Sequence, residues 1–175
     1  MKQIFLLPGQ WAVPHEPSEV TTILGPCVAV CLFDRARGMG GMNHFLLAAG
    51  GGAGRERSRY GDTSCEDLVQ CLFASGSRTE DLEARIVGGA NVGRLSAAEG
   101  ESLGERNAEM ARTVLRRHGI EVGFEDTGGP NARRLRFRTG VGILEVKTID
   151  GVSSSTATIA AGPMGNGLER AQGAR

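Results

Sequence analysis

The chain has 175 residues, 27 of them Gly, and its 20 Lys and Arg are balanced by 20 Asp and Glu, so the formal net charge at pH 7 is zero. A neutral chain with 40% hydrophobic and 23% charged residues is globular in composition and lacks the basic excess of a general nucleic-acid binder. Its longest apolar run, Val28 to Phe33, falls far short of the ~20 residues that cross a bilayer, and Ile4 to Leu7, cut by Pro8 and Gly9, is shorter than a secretory h-region of ~7 to 15 residues, so a cytoplasmic protein without membrane insertion is expected.

In chain order, Lys2 to Leu7 reads as a short strand and Val20 to Leu24 as a second, ended by Gly25 and Pro26. Val28 to Phe33 reads as a buried strand. The polar turn Asp34, Arg35, Arg37 and Gly38 then leads into another apolar strand, Met39 to Leu47, to form a hairpin. Ala48 to Arg59 carries Gly50, Gly51, Gly52 and Gly54 without a period and reads as a loop. Thr63 and Glu66 stand at capping-box spacing before the stripe Cys65, Leu68, Val69 and Leu72, which predicts an amphipathic helix stopping at Gly76.

A strand at Ala84 to Val87 ends in the turn Gly88-Gly89-Ala90-Asn91. A second helix is predicted from a capping box at Ser102 and Glu105 to His118 and Gly119, with Asn107, Met110, Ala111, Val114 and His118 inward. Ile120 to Phe124, Arg133 to Arg138 and Val141 to Val146 follow as strands. From Thr148 the chain is rich in Ser, Ala and Gly with no aromatic residue, so a domain over 1–147 and a disordered tail over 148–175 are expected. The pattern as a whole is mixed α and β.

Four cysteines in a reducing compartment must be core residues, ligands or nucleophiles, and the spacings C-x3-C and C-x5-C do not match zinc pairs. Cys65 and Cys71 fall on the first helix, and Cys31 lies deep in an apolar strand, so all three read as packing. Cys27 differs, standing at a strand mouth just after Gly25-Pro26. Among the histidines, His15 sits in a polar loop and His118 in a last helical turn that favours cations, whereas His44 interrupts an apolar strand and must find a hydrogen-bond partner.

If the hairpin turns between Arg35 and Ala36, Cys27 falls directly opposite His44. A neighbouring imidazole can take the thiol's proton and release the sulfur as a nucleophile. The imidazole then needs an orienting group, for which Thr21, six residues before Cys27, is the candidate and Thr22 the register alternative. The competing reading is that Cys27 and His44 form only a packed cross-strand pair. Arg134, Arg136 and Arg138 share one strand face with no interleaved aromatic residue, which reads as a solvated face rather than a nucleic-acid surface.

Leu24-Gly25-Pro26-Cys27-Val28-Ala29-Val30-Cys31-Leu32-Phe33-Asp34 followed by Gly40-Gly41-Met42-Asn43-His44-Phe45-Leu46-Leu47 resembles CheD, the chemoreceptor glutamine deamidase family. Arg59-Tyr60-Gly61-Asp62, Ala84 to Asn91, Gly104-Glu105-Arg106-Asn107 and Asp126-Thr127-Gly128-Gly129 resemble its later motifs in the same order, so the likeness spans roughly Leu7 to Lys147. The resemblance implies an α+β sandwich of mostly antiparallel β layers with helices packed outside. It implies hydrolysis of selected receptor glutamine carboxamides to glutamate and ammonia, with Cys27 as nucleophile, His44 as base and Thr21 orienting the imidazole, and with no metal or organic cofactor. The implied partners are chemoreceptor cytoplasmic helices and, in some members, a CheC phosphatase; a non-catalytic adaptor for those partners is the alternative. The chain departs from the family pattern at Pro26, where a Ser with an N–H is usual, and at Leu47-Ala48-Ala49, where a Pro commonly follows the apolar run.

Overall fold

The computed structural model describes residues 1–91, 101–149 and 155–161. Along the chain these form β1 (Lys2–Phe5), β2 (Gln10–Ala12), β3 (Ser18–Leu24), β4 (Val28–Asp34), β5 (Met39–His44), α1 (Gly61–Ala74), β6 (Leu82–Gly88), α2 (Leu103–Arg117), β7 (Glu121–Thr127), β8 (Ala132–Arg138), β9 (Ile143–Ile149) and β10 (Thr156–Ile159). One sheet has the order β1-β3-β8-β9-β10 and the other β2-β5-β4-β6-β7. Among the described strands β1–β3 and β6–β7 pair in parallel and the other pairs are antiparallel, so the expected mixed, mostly antiparallel α+β sandwich is what forms.

β4 shows why its sequence is apolar without alternation. Val28, Val30 and Leu32 face one way into a core shared with Leu68, Val69 and Leu72 of α1 and Ala111, Val114 and Leu115 of α2. Ala29, Cys31 and Phe33 face the other way, against Val20, Leu24, Leu135, Phe137 and Leu144 of the first sheet. A strand covered on both faces must be hydrophobic at every position. Both helices therefore lie outside one sheet only. On the open face of the other sheet, Arg136 meets Glu19 and Glu145, each at 3.5 Å, and Arg138 meets Glu145 at 3.2 Å, so much of the basic row is neutralised within the sheet.

Several boundaries differ from the sequence expectation. α1 begins at Gly61 with no side-chain cap, and the Thr63 hydroxyl instead bonds the Tyr60 carbonyl at 3.2 Å. The capping box of α2 is present, with Ser102 Oγ accepting from Glu105 N–H and Glu105 accepting from Ser102 N–H. Cys71 is only half buried, at the rim of the helix core rather than inside it. The three-residue β2 was too short to show a period, and β10 falls in the expected tail. Thr148 and Ile149 complete β9, and Thr156–Ile159 pairs antiparallel with it, because an open β9 edge offers backbone groups that a Thr- and Ile-containing segment can satisfy. Residues 150–154 and 162–175 of the expected tail lie outside the described residues. No described helix is long and apolar enough to cross a membrane.

Candidate active site

At one end of the sandwich the chain passes between the two sheets across Leu6 to Gly9 between β1 and β2, across Gly25 to Cys27 between β3 and β4, and across 128–131 between β7 and β8. The first passage is tied to both sheets: Leu6 N–H donates to the Thr21 carbonyl at 2.9 Å and Gly9 N–H to the His44 carbonyl at 2.7 Å. Leu6, Thr22, Cys27 and His44 are thereby gathered at this end of the sandwich.

His44 is 2% exposed, and its Nδ1 lies 2.8 Å from Thr22 Oγ1, which donates to the Leu6 carbonyl, also at 2.8 Å. A hydroxyl has one proton, and Leu6 O can only accept. With that proton committed, Thr22 accepts from His44 Nδ1–H, and the lone pair of the neutral ring is left on Nε2. This nitrogen is buried with no hydrogen-bond partner among the described residues. The ring is thus held as the tautomer a general base requires. Burial pushes its pKa down to about 4, with the Leu6 carbonyl pulling the other way.

Thr22, and not Thr21, is therefore the residue that the structure brings to His44. Val20, Thr22 and Leu24 point into the sandwich while Thr21 lies on the outer face of the sheet, its hydroxyl 3.5 Å from the Ile4 carbonyl. Counting back by even steps from Cys27 misassigns the face, because Gly25-Pro26 breaks the strand and Cys27 enters the opposite sheet.

The hairpin register also differs from the expected one. It closes on the pair Asp34 and Met39, with Gly38 in the left-handed region at φ 63° and its N–H on the Asp34 carbonyl at 3.0 Å. The turn centre moves one residue along, so Phe45 bridges Val28 and Cys27 stands diagonal to His44 rather than opposite. A displacement of two in the pairing keeps the face. Cys27 packs on the cluster between the sheets, the face to which Thr22 and His44 also point, and among the described residues no hydrogen bond joins its Sγ to the ring.

Cys27 is half buried, whereas Cys31 and Cys65 are sealed, their thiols pushed up to about 12 by burial. Burial also raises the Cys27 thiol, with its own backbone N–H acting in the opposite sense. A raised thiol beside a lowered imidazole rests as the neutral pair, so the proton moves to Nε2 as the sulfur attacks rather than beforehand. The other histidines stand apart: His15 is exposed, and His118 Nε2 bonds Glu66 at 2.7 Å and packs edge-on to Phe73.

Motifs scattered along the sequence meet behind Cys27. The Gly25 carbonyl accepts from Ala90 N–H at 2.9 Å and the Cys27 carbonyl from Gly89 N–H at 2.8 Å. Gly88, at φ 120°, passes so close to the Cys27 carbonyl that a Cβ would overlap it, and Gly89 and Gly104 approach each other with no room for a Cβ on either. Gly128 N–H reaches the Gly88 carbonyl at 3.0 Å, and the Arg59 carbonyl holds the N–H groups of Leu46 and Leu47 at 2.9 and 3.1 Å. Asn107, expected as an inward helix position, places its side chain in this same backing. Among the described residues no group of three His, Cys, Asp or Glu side chains converges as a metal site.

Residues 47–148 match the family model described as CheD chemotactic sensory transduction. The chain is 42% identical over 144 residues to a protein of Trichlorobacter lovleyi named "Probable chemoreceptor glutamine deamidase CheD", covering 82% of this chain and 89% of that one. Proteins of the same name from Thiobacillus denitrificans and Sinorhizobium medicae are 39% and 38% identical, covering 86% and 89% of this chain and 76% and 85% of their own lengths. With the motifs surrounding Cys27 in order and the match extending over most of its length, the chain belongs to the CheD family.

Proposed function

We propose that this protein is a cytoplasmic deamidase that converts selected glutamine side chains of chemoreceptors to glutamate, with Cys27 as nucleophile, His44 as base and Thr22 in the orienting role expected of Thr21. The observation that carries the reading is His44 Nε2, buried without a partner among the described residues, held as an acceptor by the relay through Thr22 to Leu6 and placed on the face to which Cys27 also turns. In this reading His44 Nε2 takes the thiol proton as Cys27 Sγ bonds to the amide carbon. The oxyanion collapses, the C–N bond breaks, and the imidazolium returns the proton so that ammonia leaves and a thioester remains. Water, deprotonated at the same nitrogen, then displaces the sulfur and frees glutamate.

The relatives' names support receptor helices as the substrate, and a CheC-type phosphatase belongs to the same proposal as a binding partner, testable by co-elution. The deciding experiment incubates the protein with a receptor cytoplasmic fragment and follows ammonia release and the amide-to-acid mass change at individual glutamines. Conversion by wild type, lost in Cys27→Ala and in His44→Ala with the fold retained, is expected. An unmodified receptor after prolonged incubation would refute the deamidase and leave an adaptor.

A further inference from the structure

We infer that Asn107 is a positioning residue that turns the Cys27 amide toward the substrate as an oxyanion donor; the inference rests on the deamidase reading. Three consecutive carbonyls behind the nucleophile are each held: Gly25 by Ala90 N–H at 2.9 Å, Pro26 by Asn107 Nδ2 at 3.0 Å and Cys27 by Gly89 N–H at 2.8 Å. The outer two donors are backbone, and only the middle one is a side chain. Described peptide bonds are all trans, so the carbonyl of Pro26 and the N–H of Cys27 point in opposite directions. Holding the carbonyl against α2 therefore turns the N–H away from the interior. Among the described residues this N–H has no acceptor except its own sulfur, beside which an oxyanion would form once that sulfur attacks.

Pro26 makes this arrangement necessary. It supplies no N–H of its own, so the donor at this turn has to be the Cys27 amide. The second Nδ2 proton of Asn107 goes to the Leu46 carbonyl at 2.8 Å, bracing the exit of β5 against the Cys27 turn just beyond the Val28–Phe45 bridge. Two carbonyl oxygens on one terminus identify it as the NH2 end, and the buried Oδ1 has no partner among the described residues. Asn107 itself is fully buried, and its place on α2 is fixed by the close Gly89–Gly104 approach.

The test compares wild type with Asn107→Asp and Asn107→Leu on a receptor fragment, measuring kcat and KM separately, together with the rate of Cys27 alkylation by iodoacetamide across pH. Alkylation at a saturated carbon develops no oxyanion and needs no such donor. We expect kcat to fall about 10- to 100-fold with KM within about twofold of wild type; because the same N–H faces Sγ, the alkylation profile moves to higher pH while its high-pH plateau rate stays within about twofold. A peptide carrying an aldehyde in place of the glutamine amide should lose affinity by a similar factor. Where Asn107→Leu does not fold, the isosteric Asn107→Asp carries the test. Unchanged kcat, or kcat and the high-pH plateau of alkylation falling together, would overturn the inference while leaving an active wild type; an inert wild type would overturn the deamidase reading and this inference with it.

Discussion

The His44 environment makes a quantitative prediction about acid stability. Its imidazole titrates near 6.5 when unfolded but only at about 4 in the native fold. The folded pKa is lowered, so above 6.5 neither state binds the proton and the group costs nothing. As pH falls from 6.5 to about 4 the unfolded chain takes up a proton that the native ring refuses, and stability drains away; below 4 both are charged and the loss stops. At about 1.4 kcal/mol per pH unit, that window corresponds to a loss of about 3 kcal/mol. Carboxylates held low in the fold, such as Glu125 beside Arg112, also lose stability in acid, so the comparison is with His44→Gln, which keeps them. Urea denaturation of both proteins through the window should show the variant losing about 3 kcal/mol less than wild type, and the deamidation rate should have its acid limb near 4. Parallel stability curves, or an acid limb at 6.5, would refute a desolvated, neutral His44.

Other perturbations separate the elements of the site. Thr22→Val leaves His44 Nδ1–H and the Leu6 carbonyl unpaired, so it should cost about 1–3 kcal/mol of stability and lower kcat, whereas Thr21→Val, on the outer face, should change stability by less than about 0.5 kcal/mol; activities and melting curves of the two decide this. Mass-resolved alkylation of the native protein should label Cys27 while Cys31 and Cys65, sealed and with thiols near 12, stay unmodified until denaturation. Gly88→Ala forces a side chain into the left-handed region and onto the Cys27 carbonyl, so it should destabilise the protein by more than about 2 kcal/mol and lower turnover, as chemical denaturation and assay would show.

The parts of the fold legible in sequence are those written in local periodicity. Unbroken apolar residues over Val28 to Phe33 mark a strand covered on both faces, and the Ser102–Glu105 box marks the start of α2, since each pattern reports an environment repeated along one element. His44 stood out for a related reason, as a polar ring in an apolar strand that must find a partner, and Cys27 by its place at the strand mouth after Gly25-Pro26, next to that ring in the expected hairpin. The hairpin pairing failed by one turn position yet kept its face, because a strand alternates with period two.

What sequence could not decide depends on crossings between sheets and on contacts between distant segments. Thr21 and Thr22 are chemically identical neighbours, and which one faces His44 follows from how β3 lies in the opposite sheet, beyond a Gly-Pro break that carries no periodicity. The sequence by itself determined the element types, the thiol and imidazole worth examining, and the glycine-rich motifs. Tertiary structure alone decided that those motifs close behind Cys27, that a Leu6 carbonyl sets the tautomer of His44, and that Asn107 holds the Pro26 carbonyl, because hydrogen bonds between chain segments up to 81 residues apart leave no local pattern to read.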